Sequence, residues 1–151
     1  MRRVLHIIAK GQWQPGAAVG AVTLAFADRH KRRFKMTDDD GASFLLDLEA
    51  AVLLADGDGL VLEGGGVILV RAATEPIADI HCSGLEETAR IAWHIGNRHT
   101  PLQVLGSGVL RILDDHVLVH MVEGLGARTE RHPAPFAPEP GAYSGKNHAH
   151  D

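Results

Sequence analysis

At Ala72-Ala73-Thr74-Glu75-Pro76 the pattern of the chain changes, and that change limits the folds open to it. Before it, short apolar or alternating runs over 4–8, 22–26, 33–37, 43–46 and 67–70 read as strands. They are separated by turn signals: Gln14-Pro15-Gly16, Asp39-Asp40-Gly41, Asp56-Gly57-Asp58-Gly59 and Gly64-Gly65-Gly66. The run over 48–54 has the pattern of a helical turn, but its flanks favour a short strand or loop. A small β-sandwich or barrel accounts for this half.

After the change, strand and helix alternate. Residues 77–81 read as a strand, and Ser83-Gly84-Leu85-Glu86 is a capping box with Ser83 as N-cap. Leu85, Ala89, Ala92 and Trp93 then fall on one face of a helix that Gly96-Asn97 end, both tolerating left-handed backbone. Residues 102–105 and 109–113 flank the hairpin turn Gly106-Ser107-Gly108. Asp114-Asp115 open a second helix with Val117, Leu118, Met121, Val122 and Leu125 as its apolar stripe, and 127–132 form a last strand. The expected fold is therefore α+β: a small all-β domain over 1–74, then a ferredoxin-like βαββαβ domain over 75–143. Residues 144–151 form a flexible tail.

Apolar residues make up 45% and charged residues 23%, which is a globular balance. A net charge of −4 argues against nucleic acid as partner. No apolar run approaches the ~20 residues that cross a bilayer. Met1-Arg2-Arg3 is followed by no secretory apolar core. The single Cys82 allows no internal disulfide and reads as a packing residue. These features imply a cytoplasmic protein. The one basic cluster, Arg29-His30-Lys31-Arg32-Arg33 with Lys35, is either a protected strand edge or a docking surface, with Asp38-Asp39-Asp40 offsetting its field.

Histidine is the departure from the ordinary. Eight of the ten (His81, His94, His99, His116, His120, His132, His148 and His150) follow residue 75. From residue 75 onward six Lys/Arg face ten Asp/Glu, an oxygen and nitrogen donor mix suited to first-row divalent metals. His99 follows the helix break and precedes the extended Thr100-Pro101 step. It is either a cation at a helix C-terminus or a metal ligand. His94, five residues earlier, does not share its face, so a chelate at His99 needs donors from elsewhere, such as a second copy of the chain. His116 and His120 stand four apart on one exposed helix face, with Asp114 and Asp115 nearby as oxygen donors. His148 and His150 lie in the tail. An enzyme using His99 as base with Asp114 or Glu139 is the competing reading. No nucleophile motif supports it, and a non-enzyme is expected.

The residues His94-Ile95-Gly96-Asn97-Arg98-His99, Pro101-Leu102-Gln103, Asp115-His116-Val117-Leu118 and Pro135-Phe136-Ala137-Pro138-Glu139-Pro140-Gly141-Ala142-Tyr143 resemble the signature of the urease accessory protein UreE family. The resemblance implies a homodimeric nickel metallochaperone with a peptide-binding-like first domain and a ferredoxin-like metal-binding second domain. It implies delivery of Ni(II) to apo-urease together with the urease accessory GTPase UreG and the apo-urease accessory complex. It makes His99 the essential ligand on the dimer axis and His116 a secondary one, whose usual companion two residues earlier is here Asp114. The long histidine-rich tail of some members is reduced here to His148 and His150. Nitrogen sites of this kind also take Zn(II) and Cu(II). The alternative is a peptide- or protein-binding adaptor whose histidines are incidental.

Overall fold

A computed structural model describes residues 1–141. The chain divides between Ala73 and Thr74 into two units, each with its own core.

The first unit contains β1 (Arg2–Ile8), β2 (Gly20–Leu24), a one-turn helix α1 (Phe26–Arg29), β3 (His30–Thr37), β4 (Ser43–Leu53), β5 (Gly59–Leu62) and β6 (Val67–Ala72). They form one mixed six-stranded sheet in the order β2-β6-β5-β1-β4-β3, with outer strands at both ends. Val4, Phe44, Leu46, Leu60, Ile68 and Val70 are fully buried in its core. Two strands differ from expectation. β4 runs through the stretch whose pattern was ambiguous. β5 starts at Gly59, the last residue of an expected glycine turn, and continues through residues to which no element was assigned. At Gly59 a β-carbon would lie 2.6 Å from Val67 and 2.8 Å from Trp13. That glycine serves close packing rather than a turn.

β1 and β4 pair in parallel only from Arg2↔Phe44 to Val4↔Leu46. Beyond that they splay, because five residue steps of β4 face two of β3 between Arg33↔Asp47 and Lys31↔Val52. The opening, about 580 Å³, is lined mainly by apolar side chains, among them Leu5, Ile7, Leu48 and Val52.

The basic cluster is largely committed to its own fold. Arg29 is buried, Arg32 donates to the Leu48 carbonyl, Arg33 pairs with Asp47, and Lys31 lies over the Phe34 ring. Asp38 and Asp39 do not offset it, being bonded instead to Arg2 and Thr23. The hydrogen bond from the Ala42 backbone, and then that from Arg2, hold the Asp38 carboxyl below its ordinary range.

The second unit is β7 (Thr74–His81), α2 (Leu85–Asn97), β8 (Gln103–Gly106), β9 (Val109–Leu113), α3 (His116–Gly124) and β10 (Arg128–Pro135). Its βαββαβ order and antiparallel sheet β10-β7-β9-β8 make it ferredoxin-like, as the sequence indicated. Ala78, Ile80, Leu110 and Ile112 from the sheet share a core with Ile91, Ile95, Leu118 and Val122 from the helices. β10 runs further than expected, into Pro133 and Pro135. An outer strand accepts residues that lack an N–H.

The inward face of α2 is rotated by about a quarter turn from the one expected: of the predicted row only Ala92 packs against the core. Ile91 and Ile95 are buried, whereas Leu85 is 90% and Trp93 62% exposed. The N-cap is Gly84 rather than Ser83, and the Ser83 N–H donates to Glu87 at 2.9 Å, one position along from the expected capping box. On α3, Val119 replaces Val117 in the buried stripe.

Candidate metal site

His99 is set by the way α2 ends. Gly96 and Asn97 stay helical, and the left-handed residue is His99 itself, with φ 58°. Its N–H donates to the Gly96 carbonyl at 2.9 Å, and the Thr100 N–H reaches back to the Ile95 carbonyl at 3.4 Å. These two bonds are the Schellman closure, with His99 where glycine is the usual occupant. A β-carbon in this conformation is strained, although histidine tolerates it better than most residues. The turn carries the imidazole out of the helix and into solvent. Among the described residues no side-chain hydrogen bond or ion pair holds the ring, and neither Asp114 nor Glu139 orients it as a general base would require.

The chain leaving His99 is well secured. Thr100 and Pro101 share a cleft of about 190 Å³ with Asp114, Asp115, Leu118 and the fully buried Phe136. The Glu139 N–H donates to the Leu102 carbonyl at 2.8 Å, and its carboxylate accepts the Val104 N–H at 3.2 Å. The Gln103 side chain accepts the Ala137 N–H at 2.9 Å. Sequence reasoning gave Phe136 and Gln103 no part in supporting the site. The signal was present in Pro135-Phe136-Ala137-Pro138-Glu139, whose single aromatic, in a proline-rich stretch, needs a core.

α3 begins as expected. Asp115 is its N-cap and accepts from the Val117 and Leu118 N–H groups at 2.9 and 3.1 Å. His116 and His120 are exposed and line one cleft with Glu123, Thr129 and Arg131. The carboxylates around them are engaged: Asp114 pairs with Arg131 at 3.0 Å, and Glu123 accepts the Thr129 hydroxyl. The shared cleft of Thr100, Asp114 and Asp115 brings the His99 exit loop beside the start of this helix. His148 and His150 lie outside the described residues.

Two other histidines belong to the sheet. On its helix-free face, Asp79 accepts two bonds from Arg111, at 2.7 and 3.0 Å, and meets His132 at 2.7 Å. His81 meets Glu130 at 3.3 Å. Burial pushes the Asp79 carboxyl up, but hydrogen bonds from Arg111 and then His132 outweigh it and hold the group below the usual carboxylate range. The Asp79 hydrogen bond raises Arg111 correspondingly. Burial also raises the Cys82 thiol, which disfavours the nucleophilic thiolate.

Among the described residues no three His, Cys, Asp or Glu side chains converge closely enough to hold one ion. None of their helices is long and apolar enough to cross a membrane.

Comparison with known proteins covers both units. Residues 1–73 match the family model of the UreE urease accessory protein N-terminal domain, and 75–151 that of its C-terminal domain. The chain is 48% identical over 99% of its length to a urease accessory protein UreE of Bradyrhizobium sp. (strain ORS 278), spanning 70% of that protein. It is 50% identical over 95% of its length to the namesake of Rhodopseudomonas palustris (strain BisB18), spanning 67% of it. With that of Rhodobacter capsulatus it shares 41% identity over its whole length and 93% of the relative's.

Proposed function

The chain belongs to the UreE family of urease accessory proteins, and from that premise we propose that it is a cytoplasmic nickel metallochaperone whose cargo is held by His99 between two copies of the chain. The observation that carries this reading is an exposed imidazole, without a side-chain partner among the described residues, on a strained left-handed residue where glycine would be more comfortable. One imidazole is too few to retain an ion, and a twofold axis supplies the second. Such an open site favours release to a recipient. The recipients are then apo-urease and its accessory complex, with the GTPase UreG. Zn(II) and Cu(II) compete at a nitrogen site, so specificity rests on supply and on the recipient. The protein is not itself an enzyme.

His116, His120 and the tail histidines are auxiliary, with Asp114 able to join only by leaving Arg131. The tail departs from a point secured close to the site. Glu139 is bonded to Leu102, three residues beyond His99, and His148 lies nine residues beyond Glu139. Nine residues extend to about 30 Å and three to about 10 Å, so the tail is long enough to reach.

Calorimetry with Ni(II) tests the reading. The wild type binds about one ion per dimer, His99→Ala loses the tight event, and truncation after Tyr143 weakens it without abolishing it. An unchanged isotherm in His99→Ala removes the proposal.

A second reading, docking of an extended segment by the first unit, is favoured by the splayed β1 and β4. Beyond Val4 and Leu46 their facing edges are not laddered to each other. It is compatible with the first reading, and it stands alone if nickel does not bind.

A further inference from the structure

We infer that the outer edge of β3 docks an extended acidic segment of a partner protein, which adds to the sheet of the first unit as a further strand. That sheet ends in β2 on one side and β3 on the other, and β2 is closed off. The Asp39 N–H donates to the Ala21 carbonyl at 2.8 Å, and the Thr23 N–H and hydroxyl donate to the Asp39 carboxylate at 3.0 and 2.8 Å. β3 has no such cover. Its ladder with β4 is entered by the bond from the Asp38 N–H to the Ala42 carbonyl at 2.8 Å. Bonded and non-bonded positions alternate in an antiparallel pair, so Phe34 and Met36 direct their backbone groups to β4, and Arg33, Lys35 and Thr37 turn theirs outward. Among the described residues nothing is bonded to those outward groups.

The side chains state what the edge accepts. Arg33, Lys35 and Thr37 stand on the solvent face, Met36 is buried, and Phe34 is 39% exposed at the margin of the core. Lys35 has no side-chain partner among the described residues. Arg33 shares Asp47 with Arg3, which holds that carboxylate at 2.7 Å against 3.4 Å for Arg33. Cations beside open backbone discourage pairing with a second copy, whose β3 would set like charges opposite one another. Toward an acidic strand the same charges attract, so they select the partner as well as refuse the wrong one. The alternation of faces then defines the segment: Asp or Glu at every second position, opposite Arg33 and Lys35, with an apolar residue between them meeting Phe34. Nucleic acid offers no row of amide N–H and carbonyl groups to complete the ladder, so the open edge favours a polypeptide. This edge lies across β4 from the opening between β1 and β4, and the inference does not depend on nickel binding.

Fluorescence anisotropy of the full chain with a labelled synthetic peptide alternating Glu and Val tests this. The peptide should bind, more weakly as salt is raised, and a counterpart alternating Lys and Val should not. Lys35→Glu and Arg33→Glu should each weaken binding about fivefold or more, and Lys35→Arg should leave it close to wild type. Leu5→Glu, which alters the opening between β1 and β4, should change nothing. On the peptide side, N-methylation of one alternate set of amides should abolish binding and methylation of the other set should spare it, because only one edge of an added strand ladders. Failure of the Glu–Val peptide to bind overturns the inference. So does equal binding of both peptides, equal loss on methylating either set, or loss in Leu5→Glu with Lys35→Glu unaffected. Preference for a single-stranded oligonucleotide over the acidic peptide would also overturn it, by making β3 a general polyanion surface.

Discussion

Replacing His99 with glycine should remove the metal site and make the protein more stable. An L-residue in left-handed backbone costs roughly 1–2 kcal/mol, and His99 sits there with φ 58°. Glycine relieves that strain but gains freedom in the unfolded chain, which costs about 0.4–1 kcal/mol. The balance favours His99→Gly over His99→Ala by about 0.5–1 kcal/mol, since alanine keeps the strain without the functional ring. For a unit of this size that difference raises the midpoint by roughly 2–8 °C. Calorimetric unfolding in chelator, which removes any stabilisation by bound metal, isolates the backbone effect. Both variants should lose the tight Ni(II) event equally. If His99→Gly melts at or below His99→Ala, the left-handed turn is not where stability is sacrificed, and the strain argument for His99 fails.

Two further outcomes follow from the same geometry. Asp79→Asn should destabilise the second unit by about 2 kcal/mol near neutral pH, because it leaves the Arg111 guanidinium half-paired beneath the sheet. The Asp79 carboxyl is depressed on folding, so its contribution is fully present above the unfolded carboxylate value and is lost as pH falls through the lower folded value. Urea denaturation at several pH values should therefore show the wild-type advantage shrinking in acid, and a gap that widens there refutes the assignment. Ni(II) affinity should be lower at about pH 5.5 than at about pH 8, because only a neutral imidazole ligates; equal isotherms would point to carboxylate ligands.

The ferredoxin-like order of the second unit was legible because its turn residues are local: Asp115 caps α3 through its own side chain, and Gly106 and Gly108 adopt positive φ in the hairpin. The inward face of α2 was not legible. Leu85, Ala89, Ala92 and Trp93 form one apolar row, and Ile91 and Ile95 another, with Ala92 at the margin the two share. Only the sheet beneath, absent from helical periodicity, decides which row is covered. β5 was hidden for a related reason, since Gly59 looks the same in a turn as under Val67 and Trp13.

At the candidate site the sequence identified His99 as a histidine beyond a helix, but assigned the left-handed turn to its neighbours. Gly96 and Asn97 are the better formers, and the tertiary path to Pro101 overrides that preference. The surplus of histidines also divides on inspection. His81 and His132 pair with carboxylates in the sheet, while His99, His116 and His120 face solvent. Composition does not separate structural imidazoles from available ones. The pairing of Asp114 with Arg131 joins residues seventeen positions apart and has no local signature.

The sealing of both sheet edges in the second unit limits how two copies can meet. Along β10, Pro133 and Pro135 have no N–H to offer a neighbouring chain. Along β8, Glu139 already takes the Val104 N–H and the Leu102 carbonyl. Continuous sheet extension from one protomer to the next is thereby discouraged at either margin, and association falls to side chains such as the exposed Leu85 and Trp93 of α2. A contact made of side chains comes apart without breaking a backbone ladder. In the dimer proposed above, two protomers joined that way would separate and re-form with each fold intact, as release of an ion held between them requires.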